Sequence, residues 1–319
     1  MEKELHFAIE AVTKACRLTR SIQQSIAALV LEKEDKSPVT AADYASQLLI
    51  THALCEAFPG DPWVGEENIH ELVQSGGPVL DAAVVRVREL DPDFDLRRVL
   101  AGSSPTAGTS RRYWTLDPVD GTKGFLRGGQ YVVALALIEN FTPVLGVIGC
   151  PNLNEQAEQE LGGPGVAAYA VRGQGAWLRR MDGQGAPRRI TASACADPAQ
   201  ARFVSSFESG HTNNDELSQL QAALGNGLPV DRYDSQVKHV MVAAGKYEVF
   251  VRFPPAKNAA YREKLWDHAA ACVVVEEAGG IVSDIFGRPL DFSTGASFQN
   301  NRGILVTNGR LHPAVTAHL

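Results

Sequence analysis

The sequence contains no CxxC pair, no hydrophobic run long enough to cross a bilayer and no excess of basic charge. Its five cysteines (Cys16, Cys55, Cys150, Cys195 and Cys272) are scattered and odd in number. That usage excludes a disulfide framework or a cysteine zinc site and suits a reducing compartment. The longest strongly apolar stretch, residues 131–138, spans eight residues, against the ~20 of a membrane-spanning helix. The first residues, MEKELHFAIE, mix charges of both signs and lack the apolar centre of a signal peptide, so cytoplasmic residence is the expectation. With 30 Lys and Arg against 37 Asp and Glu, the net charge is −7. This excludes the concentrated basic face that grips polymeric nucleic acid. Small phosphorylated molecules stay open as ligands, because bound cations reverse the local sign of an acidic site.

Two motif fragments are also discounted. The Gly-x-Gly at residues 173–175 lacks the third glycine and the strand-to-helix setting of a dinucleotide fingerprint. The acidic string DPDFD resembles the opening of a calcium loop but has Leu96 where that loop needs glycine, and Gly102 where it needs glutamate. No nucleophile is set up by a Ser/His/Asp or Cys/His arrangement.

What the chain does have is length and a sizeable core. Its 319 residues are 45% hydrophobic, enough for about two domains and for burying roughly three quarters of the unfolded surface. Apolar residues from Leu5 to Leu29 recur at three- and four-residue steps, which predicts an amphipathic helix over 4–30. Thr40 reads as the N-cap of a helix over 41–58, ended by Pro59-Gly60. A helix is expected over 79–90 and a loop over 101–112. A β-rich stretch follows, with paired strands at 131–138 and 144–148 and further strands near 167–171, 176–179 and 188–191. After about residue 195 strands and helices alternate, the mark of a layered α/β unit. We therefore expect two domains, 1–194 and 195–319.

The most informative string is WTLDPVDGTKGF, residues 114–125. Carboxylates at i and i+3 of a straight strand face opposite sides. Pro118 and Gly121 predict instead that the strand stops at Asp117 and enters a type I turn. Such a turn brings Asp117 and Asp120 to one side with the Val119 carbonyl, an all-oxygen donor set that suits Mg²⁺. The amides of Gly121 and Thr122 would then face a phosphate. Taken alone, the string also reads as a surface turn. Glu66 follows the apolar pair Trp63-Val64 and reads as an acid at a strand end. Asp267 opens a helical pattern, where helix capping explains an acid equally well.

Together, VGEEN, WTLDPVDGTKGFLRGGQ, GVIGCPNL, DSQVK and KLWDHAAACVVVEEAGG resemble the magnesium-dependent, lithium-sensitive phosphatases of the inositol monophosphatase superfamily. TKGFLRG, GCPNL and DSQVK are most similar to its 3'(2'),5'-bisphosphate nucleotidase branch. The resemblance implies a layered αβαβα sandwich of the inositol monophosphatase and fructose-1,6-bisphosphatase type, with two or three Mg²⁺ ions. It implies that Glu66, Asp117 and the Val119 carbonyl hold one ion, and that Asp117, Asp120 and Asp267 hold a second. It further implies that Asp43 and Thr122 orient and deprotonate the attacking water, although Asp43 also fits a capping box with Thr40. His211, Asp234, Ser235, Lys238 and Arg252, with Gly121 and Thr122, would bind the substrate.

That substrate is expected to be a small bisphosphorylated nucleotide, with adenosine 3',5'-bisphosphate giving AMP and phosphate as the leading case and 3'-phosphoadenylyl sulfate a further one. No nucleic acid polymer or membrane is expected as a partner. Two alternatives stay open: an inositol phosphatase acting on inositol mono- or polyphosphates, and a nucleotide sensor without turnover. Departures from the pattern, Ser209 for a frequent lysine and Ala271 for a frequent glycine, bear on substrate preference and touch no implied metal ligand.

Overall fold

A computed structural model describes residues 1–24, 30–32, 38–102, 109–208, 213–255 and 260–319. The chain opens with α1 (Glu2–Gln24), a short hairpin of β1 (Val30–Glu32) and β2 (Pro38–Thr40), and α2 (Ala41–Ala57). β3 (Trp63–Gly65), α3 (Ile69–Ser75), α4 (Pro78–Leu90) and α5 (Leu96–Gly102) follow. Next come β4 (Arg112–Asp120), α6 (Thr122–Leu126), β5 (Val132–Glu139), β6 (Thr142–Cys150), β7 (Val166–Val171), β8 (Ala176–Arg180) and β9 (Arg188–Ile190). The remainder comprises β10 (Phe203–Ser206), α7 (Asn214–Ala223), β11 (Val230–Tyr233), α8 (Val237–Ala243), β12 (Val249–Arg252), α9 (Ala269–Glu277), β13 (Ile281–Ser283), β14 (Ile304–Thr307) and α10 (His312–Thr316). Among the described residues no helix is long and apolar enough to cross a membrane.

Strands β3 to β9 form a seven-stranded sheet in chain order, antiparallel except for the β3–β4 pair. A second sheet has the order β11-β10-β12-β14-β13, parallel on one side of β12 and antiparallel on the other. Side-chain alternation assigns the faces. Val133, Leu135 and Leu137 of β5 pack with α1 and α2, whereas Val132, Ala134 and Ala136 face the core that holds α8 and α9. In the second sheet Val249 and Val251 pack with α7 and α10, while Phe250 turns to the α8–α9 layer. The order is thus α, β, α, β, α, the layered sandwich expected from the sequence.

The middle layer is tight because its residues are small. Ala136, Gly146 and Ala170 are cross-strand neighbours, and they receive the first turn of α9, Ala269-Ala270-Ala271. A Cβ at Gly146 would lie 2.3 Å from the Ala270 carbonyl oxygen.

Several expectations shift. α1 ends at Gln24, and Val30 belongs to a strand paired with β2, so the predicted helix is shorter; Ile26 and Leu29 lie outside the described residues. α3 and α5 add helices in the stretch before β4 that the sequence left unassigned. The 101–112 loop begins inside α5, and residues 103–108 of it lie outside the described set. The discounted glycines find structural roles: the Gly173 and Gly175 amides donate to Glu277 at 2.8 and 2.7 Å. Likewise Asp91 pairs with the buried His52 at 2.8 Å instead of forming a calcium loop.

Gly146→Ala is expected to lower unfolding free energy by about 1–3 kcal/mol through overpacking against α9. Chemical denaturation reads it, and an unchanged midpoint and slope would contradict the proposed seating of the helix.

Candidate active site

The site is assembled by α2, the end of β4 and the loops that precede α8 and α9. Thr40 caps α2, and its backbone N–H and hydroxyl donate to Asp43 Oδ2 at 2.8 and 2.6 Å. This capping box occupies one carboxylate oxygen and leaves Oδ1 facing Thr122, whose hydroxyl lies 3.4 Å away. One turn further on, Ser46 donates to the Pro118 carbonyl at 2.9 Å. Gln47 clasps Glu67 through both backbone groups, at 2.7 and 3.1 Å. Positions i, i+3 and i+4 share a helix face, so one stripe of α2 fixes the base candidate, the end of β4 and the strand end bearing Glu66.

The Asp117–Asp120 segment differs from the expected turn. β4 continues to Asp120, but its register slips: Asp117 pairs with Ala134 and Asp120 with Val132. Three steps on β4 match two on β5. The extra residue is a β-bulge, and it turns two carboxylates that alternation would oppose onto one side. Pro118 is tolerated there because a bulge needs no ladder donor. Gly121 follows with φ of 90°, the left-handed region that glycine alone adopts freely.

Asp267 also departs from expectation. α9 is capped at His268 and begins at Ala269, so Asp267 is not the helix cap. Its carboxylate is turned to a cavity of about 580 Å³ instead. Glu66, Asp117, Val119, Asp120, Gly121 and Thr122 share that cavity with Asp234, Ser235, Lys238 and Arg252. Twelve of the thirteen sequence-derived candidates are therefore described: eleven line one space, and Asp43 stands behind Thr122. His211 lies outside the described residues.

The charges inside act on one another. Burial and repulsion from Glu66, Asp120 and Asp267 push the Asp117 carboxyl well above the usual range. Burial raises Asp267 well above it too, helped by Asp120 and opposed by Arg252. Asp120 is raised by burial, but Lys238, the Gln236 amide and Arg252 pull the other way. Lys238 is pushed down to about 8 by burial, against the pull of Asp120. Asp117 Oδ1 is buried and meets no donor. An oxygen-only set of mutually repelling acids, one with an unsatisfied buried oxygen, fits a hard divalent cation. Among the described residues, the three whose ligand atoms all lie within 4.8 Å of one another are Glu263, Asp267 and His268. Glu263 is already paired with Arg252 at 3.2 Å.

Sequence reasoning missed the residues that join the two halves. The Gln236 amide N–H donates to Asp120 Oδ2 at 2.5 Å, and the Gln236 side chain donates to the Trp266 carbonyl at 3.2 Å. One residue thus links Asp120 to the residue before Asp267. Ser235 holds a φ of 66°, strained for a residue with a Cβ, and Lys238 Nζ braces it with a 2.6 Å bond to its carbonyl. Opposite, a Cβ on Gly124 would lie 2.1 Å from the Gln130 carbonyl and 2.7 Å from Asp234 Oδ2, so glycine permits the close approach. A glycine inside Thr-Lys-Gly-Phe was the available signal.

A layered sandwich whose central cavity gathers buried acids and cations defines a class of metal-assisted, anion-handling proteins. Comparison with known sequences makes this specific: the chain belongs to the inositol monophosphatase family, which it matches over residues 1–319. It is 38% identical to the Oryza sativa 3'(2'),5'-bisphosphate nucleotidase across 98% of this chain and 92% of that one. It is 36% identical to 3'(2'),5'-bisphosphate nucleotidase 2 of Candida albicans across 96% and 93%. Among solved structures it resembles the Thermotoga maritima IMPase, with a TM-score of 0.68 at 23% identity over 100% of this chain and 96% of that one.

The pKa directions carry a sign. A carboxyl held above its unfolded value costs stability once pH passes the unfolded range near 4, and the full cost applies above the folded value. In EDTA at pH 7, Asp117→Asn should therefore be more stable than the parent by roughly 1–2 kcal/mol, or ~2–4 °C in Tm. The gap should close as pH falls toward about 4. A variant less stable than the parent at pH 7 would contradict the crowding of like charges.

Proposed function

We propose that this chain is a Mg²⁺-dependent phosphomonoesterase that hydrolyses the 3'-phosphate of adenosine 3',5'-bisphosphate to AMP and phosphate. The observation that carries this reading is that one cavity is lined by groups of both charges, the acids Glu66, Asp117, Asp120 and Asp267 and the bases Lys238 and Arg252. A substrate with two phosphates suits both sets, one group held at the acids through cations and one at the bases. The names of the rice and Candida relatives support the choice of nucleotide.

In this reading Glu66, Asp117, the Val119 carbonyl, Asp120 and Asp267 hold two or three Mg²⁺ ions. When bound, the ions supply Lewis-acid activation of water and offset charge on the phosphoryl oxygens.

The chain's own groups do the rest. Thr122 Oγ1 lies between Asp43 Oδ1 and the Val119 carbonyl, at 3.4 and 3.3 Å. It can accept a proton from the attacking water while passing its own to Asp43 Oδ1. The water oxygen bonds to phosphorus, the bond from phosphorus to the 3'-oxygen breaks, and that oxygen leaves as the ribose hydroxyl after taking a proton from a second water, while the Asp43 proton returns to solvent. Asp43 is suited to the base role because its other oxygen is fixed by the helix cap, which limits its rotation. Lys238 and Arg252 bind the 5'-phosphate. Arg presents a planar fork and Lys a point charge. Gly121, Asp234 and Ser235 line the cavity beside these groups, and His211 is proposed to bind the substrate.

Asp120→Asn should keep the fold and lower kcat for adenosine 3',5'-bisphosphate by at least about a hundredfold at saturating Mg²⁺, roughly 3 kcal/mol of barrier. A near-normal kcat would overturn the assignment. Phosphate release compared across adenosine 3',5'-bisphosphate, inositol 1,4-bisphosphate and inositol 1-phosphate should favour the nucleotide, and preference for either inositol compound would displace it.

A further inference from the structure

Arg252 lies on β12 two residues beyond Phe250, which faces the middle layer. By alternation Arg252 shares that face, and it enters the cavity with its side chain 17% exposed. A guanidinium so placed has competing carboxylates: Asp267 and Asp120 both feel its charge. If it folded onto Asp267, the cavity would lose the use of one of its cations and one of its acids together.

We propose that Glu263 is a positioning residue that anchors Arg252 for phosphate binding in the cavity and so keeps its guanidinium off Asp267. This rests on the preceding reading only for the ligand that Arg252 meets.

Glu263 is buried, 3% exposed in its side chain, and its Oε2 pairs with Arg252 Nη1 at 3.2 Å. Arg252 lines the cavity and Glu263 stands behind it. The carboxylate is itself held from the far side. His268 Nε2 lies 3.4 Å from Glu263 Oε2, and His239 Nε2 lies 3.4 Å from His268 Nδ1. An ionised carboxylate only accepts, so the His268 proton sits on Nε2 and its Nδ1 accepts in turn. The His239 proton then sits on Nε2, which leaves His239 Nδ1 bare. That atom is buried and meets no donor, in agreement with the assignment. The two histidines thus orient the carboxylate that Arg252 meets. The compact Glu263, Asp267 and His268 group thus has a use other than holding an ion: the Arg252 cation already occupies the Glu263 oxygen.

The test is a double-variant cycle on the full chain with Glu263→Gln, Arg252→Ala and both together, and Glu263→Asp as the conservative control. KM and kcat are measured with adenosine 3',5'-bisphosphate and with adenosine 3'-phosphate, which lacks the group Arg252 meets. Glu263→Gln should raise KM for the bisphosphate roughly tenfold, about 1.4 kcal/mol, leave KM for adenosine 3'-phosphate unchanged, and lower kcat severalfold for both substrates because Asp267 is engaged by the displaced guanidinium. Glu263→Asp should recover most of the loss. In the Arg252→Ala background Glu263→Gln should add nothing, because it acts through that arginine. Equal KM rises for both substrates, or an undiminished effect in the Arg252→Ala background, would overturn the proposal.

A crystal structure of Glu263→Gln supplies a readout independent of turnover. The Arg252 guanidinium should be found against Asp267, and a guanidinium unmoved from its parental place would also overturn the proposal. If the parent released no phosphate from the bisphosphate, the substrate reading would fail while the crystal structure still decided the role of Glu263.

Discussion

The arrangement depends on crowding acids where water cannot screen them. Asp117 is 1% exposed and shares its surroundings with Glu66, Asp120 and Asp267, and the three aspartates feel the charge of others in the group. Like charges in a low-dielectric site repel strongly, so folding alone does not reward this cluster. The scaffold holds it by covalent and hydrogen-bonded constraint: a bulge in β4, a capped α2, and the backbone amide of Gln236 on Asp120. A cation at the acids converts that repulsion into binding.

The same constraints explain why the two sheets meet where they do. The Asp234-Ser235-Gln236 turn brings a strained residue, a lysine-braced carbonyl and an amide donor against the end of β4. Gly121 and Gly124 give it room. Across the mouth, Arg127 joins Glu208 and Asp234 at 2.6 and 2.7 Å. Such exposed pairs add little stability, but they align the Thr-Lys-Gly-Phe segment with the turn. The small-residue bed under α9 sets the height of Asp267 above the first sheet.

Much of this was legible in the sequence. The Thr40 and Asp43 spacing announced a capping box, and the structure makes both of its bonds. The acids of the site could be picked out as Glu66, Asp117, Asp120 and Asp267. Their local geometry was harder to read, because a proline after Asp117 is compatible with either a turn or a bulge. Only pairing with β5 decides between them. Asp267 looked like a cap since helix boundaries shift by a residue or two; the helix starts later and frees the side chain. Glu263, His268 and His239 gave no signal. Their contacts join α8, the loop before α9 and a strand, and no periodicity reports a long-range polar network. Ser46 and Gln47 sat inside a helix, where their inward bonds depend on a sheet that the local pattern cannot place.

The most direct test of the central claim is the anomalous scattering of Mn²⁺ in crystals of the unaltered protein. The account predicts density within coordination distance of Glu66, Asp117, the Val119 carbonyl, Asp120 and Asp267, with the Arg252 and Glu263 pair intact beside it. An absence of ions from that group, or density confined to Glu263 and His268 with the pair broken, would contradict it.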